Sequence, residues 1–147
     1  PKGQKLAFER AYLREDVLPQ NTSYLECHAT GTPLGDVTEM NSISDFFQQH
    51  NAAPLLGSVK SNMGHLLTAA GMTGLFKVLL SLEKGFIPPN VNLTEAVQTD
   101  NQFIKDEHII TRATPWKGNQ AGINSFGFGG TNSSLIMRIW KSICWAV

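Results

Sequence analysis

Cysteine is nearly absent from this chain, with two in 147 residues, Cys27 and Cys144. Two thiols cannot build a disulfide framework, and they lack the paired spacing of a zinc site. A reducing, cytoplasmic setting fits. Neither sign of charge prevails, since 12 basic residues face 12 acidic ones and no basic block occurs. That excludes the electrostatic footprint expected of a partner for nucleic acid or an anionic membrane surface. Long apolar runs are missing as well. The stretches Leu75 to Leu82 and Leu135 to Val147 are short or broken by Lys77, Arg138 and Lys141, so neither spans a bilayer. The chain opens Pro1-Lys2-Gly3-Gln4-Lys5, without an initiator Met or an apolar signal core, and so reads as a piece of something longer. Glycosylation-type triplets at Asn21, Asn92 and Asn132 carry little weight without a secretory signal.

What is present is an alternation of helical and extended patterns. The spacing predicts a surface helix from Gln4 to Arg14, a strand from Thr22 to Cys27, and a second helix from Val37 to Gln49 with Asp36 as its N-cap. A strand follows at Leu55 to Val59. The longest helix is expected from His65 to Glu83, ending at Gly85 before Pro88-Pro89. Its interior glycines each cost about 1 kcal/mol against alanine, which tight packing would have to offset. After a polar connection, strands are expected at His108 to Thr111, Ala121 to Ser125 and Ser134 to Ile139, with a bend at Gly127-Phe128-Gly129-Gly130. No internal repeat or low-complexity segment interrupts this order, which reads as α/β with helices layered on a sheet. A chain of this length can bury roughly 70% of its unfolded surface, enough for one domain.

Two histidines stand apart from the other two. His28 and His65 each follow an apolar run, at the strand ends where loops commonly carry sites. His28 is followed by Ala29-Thr30-Gly31-Thr32-Pro33, too rich in turn formers for an element interior. His65 is expected in the first turn of the long helix, whose positive end favours a neutral ring that donates from one nitrogen. Two neutral donors aimed at one point would make an oxyanion site. Lys60 reads either as a solvated charge or as a neighbour of His65, and Glu39 equally as a helix-surface carboxylate. Cys27 adjoins His28, but neighbours in a strand point to opposite faces, so it reads as buried packing. His50 and His108 read as ordinary surface or core residues. The glycine-rich bend lacks the helix and the Lys-Ser/Thr of a phosphate loop, and Phe126 and Phe128 are core residues by default.

Three ordered strings say more. Glu26-Cys27-His28-Ala29-Thr30-Gly31-Thr32-Pro33-Leu34-Gly35-Asp36, Gly57-Ser58-Val59-Lys60-Ser61-Asn62-Met63-Gly64-His65 and Ile123-Asn124-Ser125-Phe126-Gly127-Phe128-Gly129-Gly130-Thr131-Asn132 resemble the late motifs of the β-ketoacyl synthases, the condensing domains of fatty-acid and polyketide synthases. The resemblance covers nearly the whole chain and implies the thiolase fold, layered α/β/α, with residues 1–139 as the C-terminal half of the domain and 140–147 as an atypical tail.

By motif, the resemblance implies that His28 and His65 hold the thioester carbonyl of a malonyl-type unit and stabilise the enolate left by loss of carbon dioxide. Lys60 would support the surroundings of the second histidine with Glu39 as its carboxylate partner. Phe128 would gate the nucleophile, its backbone N–H forming half of an oxyanion hole. The nucleophilic cysteine of the family lies in an Ala-Cys-Ser context that neither Cys27 nor Cys144 matches. The implied partners are an acyl carrier protein bearing the substrates on phosphopantetheine, the N-terminal half of the domain and a second copy in a homodimer. No cofactor or metal bound by the chain itself is implied. Ala29 stands where glycine is commoner, Val37-Thr38 replaces a pair containing proline, and Ser133-Ser134 replaces Ala-His. A non-catalytic half-domain is the alternative; a thiolase relative fits less well, because thiolases carry a second cysteine in place of one histidine.

Overall fold

A computed structural model describes residues 2–139 of the chain; the expected tail and Cys144 lie outside the described residues. The elements run α1 (Lys2–Ala11), β1 (Thr22–Glu26), α2 (Pro33–Gln49), β2 (Leu55–Gly57), α3 (Lys60–Met63), α4 (Ala70–Lys84), β3 (Phe86–Ile87), β4 (Thr114–Pro115), β5 (Gln120–Phe126) and β6 (Asn132–Arg138). The main sheet has the order β2-β1-β5-β6, with β1 parallel to both β2 and β5 and an antiparallel β5–β6 hairpin at one edge.

Alternation along β1 divides the core between two faces. Leu25 packs with Phe8 of α1 and with Ile43, Phe46 and Phe47 of α2. Tyr24, one residue earlier, packs with Val78 of α4 and with Trp116, Ala121 and Ile123. Helices therefore cover both faces of the sheet, and the expected α/β/α layering is what the chain forms. Each of the fully buried aromatics contributes about 1.5–3 kcal/mol through removal of its side chain from water.

Several expected boundaries move, each for a local reason. Asp36 is not the N-cap of α2. That helix begins four residues earlier at Pro33, whose fixed φ and missing N–H suit the first helical position, with Thr32 in the capping place. Asp36 falls in the first turn and accepts the Gly31 N–H at 3.1 Å. The long helix does not begin at His65. Gly64 at φ 80° and Leu67 at φ 50° leave the right-handed helical region, so the segment breaks into α3, a 3₁₀ turn at Leu67–Ala69, and α4. Its end is as expected, with Gly85 in the left-handed conformation donating to the Ser81 carbonyl.

The expected strand at His108 to Thr111 contributes only one parallel bridge, Leu56 to Ile109, after a 3₁₀ turn at Asp106–His108. The short β3–β4 ribbon was not expected at all. β2 stops at Gly57, two residues short of its expected end, because the backbone at Val59 is already helical and leads into α3.

Packing accounts for the small residues. A Cβ on Gly74 of α4 would lie 3.1 Å from Glu26 Cγ, so the glycine lets the helix approach β1. A Cβ on Gly57 would lie 2.5 Å from the Tyr24 hydroxyl oxygen and 3.2 Å from Lys77 Nζ, both held in the interior. Gly57→Ala is therefore expected to destabilise the fold by about 1–3 kcal/mol through overpacking. Chemical denaturation reads this as a lower midpoint at unchanged slope, and an unchanged midpoint would show that the sheet yields at this corner.

Candidate functional site

The C-terminal ends of β1 and β2 open on the same edge because the strands are parallel. His28 emerges two residues past β1, and His65 sits on the broken segment between α3 and α4. Their rings meet at a centroid separation of 5.7 Å and an interplanar angle of 90°. Phe126 of β5 closes on His28 at 5.8 Å. Residues 37 positions apart thus converge on one point.

The two rings are held differently. His65 Nδ1 accepts the backbone N–H of Leu67 at 3.1 Å, so the proton of the neutral ring belongs on Nε2. The positive φ of Leu67 belongs to this same turn, a local strain of the kind that collects at functional sites. The expectation that a helix dipole fixes the charge of His65 fails, because the residue lies outside the helix; this backbone bond fixes the tautomer instead. The His28 ring has a buried Nδ1 without a partner among the described residues. Burial first, then the Lys60 charge and His65, push its pKa down to about 4. The His28 ring thus favours its neutral form, and the His65 ring is held with Nδ1 as an acceptor.

Glu39 holds the backbone beneath His28. Its carboxylate accepts the N–H of His28 at 2.8 Å and of Ala29 at 2.7 Å, and the Asn124 side-chain amide at 3.0 Å. Burial nevertheless raises its pKa, so desolvation outweighs these bonds. Ala29, pulled into the same bend, sits at φ 28°, in conformational space where glycine is freer. The expected pairing of Glu39 with Lys60 is not an ion pair among the described residues. Lys60 opens α3 and acts on Glu39, Glu26 and His28 through its field, while burial lowers its own pKa against the pull of both carboxylates.

Cys27 lies in the core with its thiol donating weakly to the Leu25 carbonyl, and burial, then Glu39 and Glu26, push its pKa well up. Burial and charge both disfavour its thiolate, as expected of a packing residue. Phe128, a default core residue by sequence, is fully exposed on the 3₁₀ turn Phe128–Gly130 and has no ring contact with either histidine among the described residues.

Beside Cys27 and Ala29 opens a cleft of about 720 Å³, lined by Thr30, Thr32, Asp36, Lys60 and Asn90 among others and by neither histidine. No cluster of metal-ligating side chains occurs among the described residues, and no helix there is long and apolar enough to cross a membrane.

Sequence reasoning missed three polar residues that hold this edge together. Asn124 bonds Glu39 and accepts the Ser134 hydroxyl at 3.1 Å. Asn90 accepts the Ser58 N–H at 2.8 Å and donates to the Ile110 carbonyl at 2.9 Å. Glu26 is buried at the end of β1. For Glu26 and Asn124 the available signal was a polar residue at an inward position of a strand, while Asn90, in the connection after β3, offered none.

Residues 1–94 match the family model of the β-ketoacyl synthase C-terminal domain, and residues 104–142 that of the ketoacyl-synthetase C-terminal extension. This chain belongs to the β-ketoacyl synthases. It is 40% identical to a highly reducing polyketide synthase, srdA, of Neurospora crassa over 92% of its own length and 6% of that protein's. It is 38% identical to a polyunsaturated fatty acid synthase polypeptide of Thraustochytrium, again over 92% of the chain and 6% of the relative.

Among solved structures, the PfaC keto synthase–chain length factor superposes with a TM-score of 0.88 at 50% identity, over 93% of this chain and 15% of that one. A ketosynthase of the bacillaene polyketide synthase of Bacillus amyloliquefaciens gives 0.80 at 31% identity, over 95% and 26%. The chain thus corresponds to the C-terminal portion of a thiolase-fold ketosynthase domain of polyketide and fatty-acid synthases, and spans only a small part of the synthases it matches.

The depressed pKa of His28 gives a measurable outcome. Because its folded value of about 4 lies below its ordinary 6.5, its contribution to stability is fully present above pH 6.5 and is lost as pH falls toward 4. The ring resonances of His28 in labelled protein are expected to titrate near 4; a midpoint at or above 6.5 would contradict its placement.

Proposed function

We propose that this chain supplies the enolate-stabilising half of a ketosynthase, the part that draws carbon dioxide from a malonyl-type unit before carbon–carbon bond formation. The observation that carries the reading is the perpendicular approach of the His28 and His65 rings at 5.7 Å. The carbonyl oxygen of a malonyl thioester, presented on the phosphopantetheine of an acyl carrier protein, accepts the two imidazole N–H groups. The carboxylate leaves as carbon dioxide, its bonding pair passes into the enolate, and the charge collects on the oxygen the rings hold. The enolate carbon then attacks an acyl thioester on the cysteine of the domain's N-terminal half, and the cysteine thiolate leaves. Neutral donors suit this sequence, because an imidazolium would hand its proton to the enolate. One such preorganised donor is worth about 2.7–4 kcal/mol in related oxyanion sites.

Lys60 acts here as a positioning charge beneath the histidine pair, and Glu39 as the anchor of the His28 backbone. Phe128 gates the nucleophile, a role its exposure in this chain leaves sterically open. The exposed apolar side chains of α4, Met72, Phe76, Leu79 and Leu80, continue into Met63, Leu66 and Leu67 beside His65. A surface of that kind calls for cover, and the N-terminal half of the domain, itself in a dimer, is our assignment for it. We place the protein in the cytoplasm, where a free buried thiol such as Cys27 stays reduced.

In a synthase containing this chain, His65→Ala is expected to leave acyl loading intact while carbon dioxide release falls about 10²- to 10³-fold. His28→Ala behaves alike, and the two losses do not add, because both rings hold one oxygen. Release of labelled carbon dioxide by both variants at the parent rate would make the histidines structural. Expressed alone, the chain is expected to take up no acyl group from an acyl thioester, which intact mass measures; an adduct on Cys27 would reverse that assignment.

A further inference from the structure

Three side chains that the mechanism above does not use form one buried cluster beneath the site. The side chains of Glu26 and Lys77 are 2% and 5% exposed, and Tyr24 is fully buried. Glu26 Oε2 accepts the Tyr24 hydroxyl at 2.5 Å and lies 3.0 Å from Lys77 Nζ, while Oε1 accepts the backbone N–H of Val59 at 2.5 Å. The ammonium is off the direction that an N–H···O bond requires, so its tie to Glu26 is an ion pair without a hydrogen bond, and it lies 5.7 Å from the centre of the Tyr24 ring. Burial, then the Glu26 charge, raises the Tyr24 pKa well above its ordinary value, which keeps the hydroxyl a donor.

The connectivity gives this cluster its meaning. Glu26 is the last residue of β1, two before His28; Val59 immediately precedes Lys60 and the short segment that carries His65; Lys77 stands on α4, which continues that segment. One carboxylate therefore touches the strand that leads to His28 and the segments on both sides of His65. Gly57 and Gly74 leave the room it occupies, since a Cβ on either would press on Tyr24, Lys77 or Glu26 itself.

We propose that Glu26, neutralised by Lys77 and oriented by Tyr24, is the positioning residue that sets the spacing of the His28 and His65 loops. The inference rests on the reading of those histidines given above. A single orphaned charge at this point would displace both loops at once. Because an error of about 1 Å at a reacting centre costs on the order of 10²-fold in rate, the effect falls on turnover rather than on substrate binding.

The test uses the intact synthase and three variants, Glu26→Gln, Lys77→Met and the two combined, with acyl loading, melting temperature, and kcat and KM for carbon dioxide release. Glu26→Gln is expected to load normally and to hold KM within about twofold, while kcat for carbon dioxide release falls about 10- to 100-fold at temperatures where the variant is folded. The double variant removes the orphaned ammonium and keeps an oxygen for the Val59 N–H, so it is expected to recover most of the lost kcat as well as the melting temperature. Parent kcat in folded Glu26→Gln overturns the proposal, and so does a double variant that recovers the melting temperature but not kcat. Should Glu26→Gln not fold, Gly74→Ala carries the same test by pressing on Glu26 Cγ without changing any charge. Its kcat is expected to fall severalfold at constant KM, and an unchanged kcat overturns the clamp. Failure of the underlying reading is distinct, because it shows as parent carbon dioxide release by His65→Ala whatever the clamp variants do.

Discussion

The bond of the Glu39 carboxylate to two consecutive backbone N–H groups, those of His28 and Ala29, is the constraint from which the rest of the site follows. A strand leaving a parallel sheet ordinarily runs on into solvent, where nothing dictates its next turn. Here a helix on one face of the sheet reaches back and seizes the chain just past the strand end, forcing Ala29 to positive φ and aiming the imidazole along the edge. The carboxylate makes these bonds without a counter-ion in contact among the described residues. Neutral donors from the turn after β1 and from β5 take that place, which ties the backbone that carries one ring to a strand end, a second strand and a helix at once.

Glu26 solves the same problem by the opposite electrostatic route. Both carboxylates are buried within one short segment of structure, but Glu26 faces an ammonium and Glu39 faces amides. A buried ion pair is weak evidence for stability, since two apolar side chains often serve as well; its common use is to fix which arrangement forms. An ion pair between strand and helix fits a site whose two rings arrive on different segments. Lys60 completes the pattern, with its charge felt at both carboxylates while it contributes an ion pair to neither.

Much of this was legible in the sequence, and the failures have physical causes. The convergence of His28 and His65 was legible in part, because both follow apolar runs, while the roles expected of them came from the resemblance of their motifs. The strands around them and the end of α4 at Gly85 followed from apolar patterning and a glycine able to adopt positive φ. The start of α4 did not, because the apolar stripe from Leu67 onward keeps helical spacing through a segment whose backbone is broken at Gly64 and Leu67. Periodicity records which side chains share a face and is blind to a local reversal of φ. Lys77 was read only as an interruption of an apolar run, since a single charge carries no mark of the buried carboxylate that waits for it on another strand. Phe128 failed for a different reason: the rule that phenylalanine is buried presumes that the covering surface belongs to the same chain.

That last failure bears on how the chemistry is divided. α4 is apolar on two sides, with Leu75, Val78 and Leu82 against the sheet and Met72, Phe76, Leu79 and Leu80 turned outward. An outer face of that kind, uncovered among the described residues, has the character of an interaction surface, and our proposal assigns it to the remainder of the domain. Met63, Leu66 and Leu67, close to His65 in the chain, are exposed as well. In this chain His65 stands exposed, where a hydrogen bond donated by its ring gains little over one to solvent. Cover over such an edge would remove that competitor and lower the local dielectric, strengthening the two hydrogen bonds that our proposal requires. The meeting of the two rings is thus built by this chain, while the electrostatic strength that our proposal asks of it depends on cover.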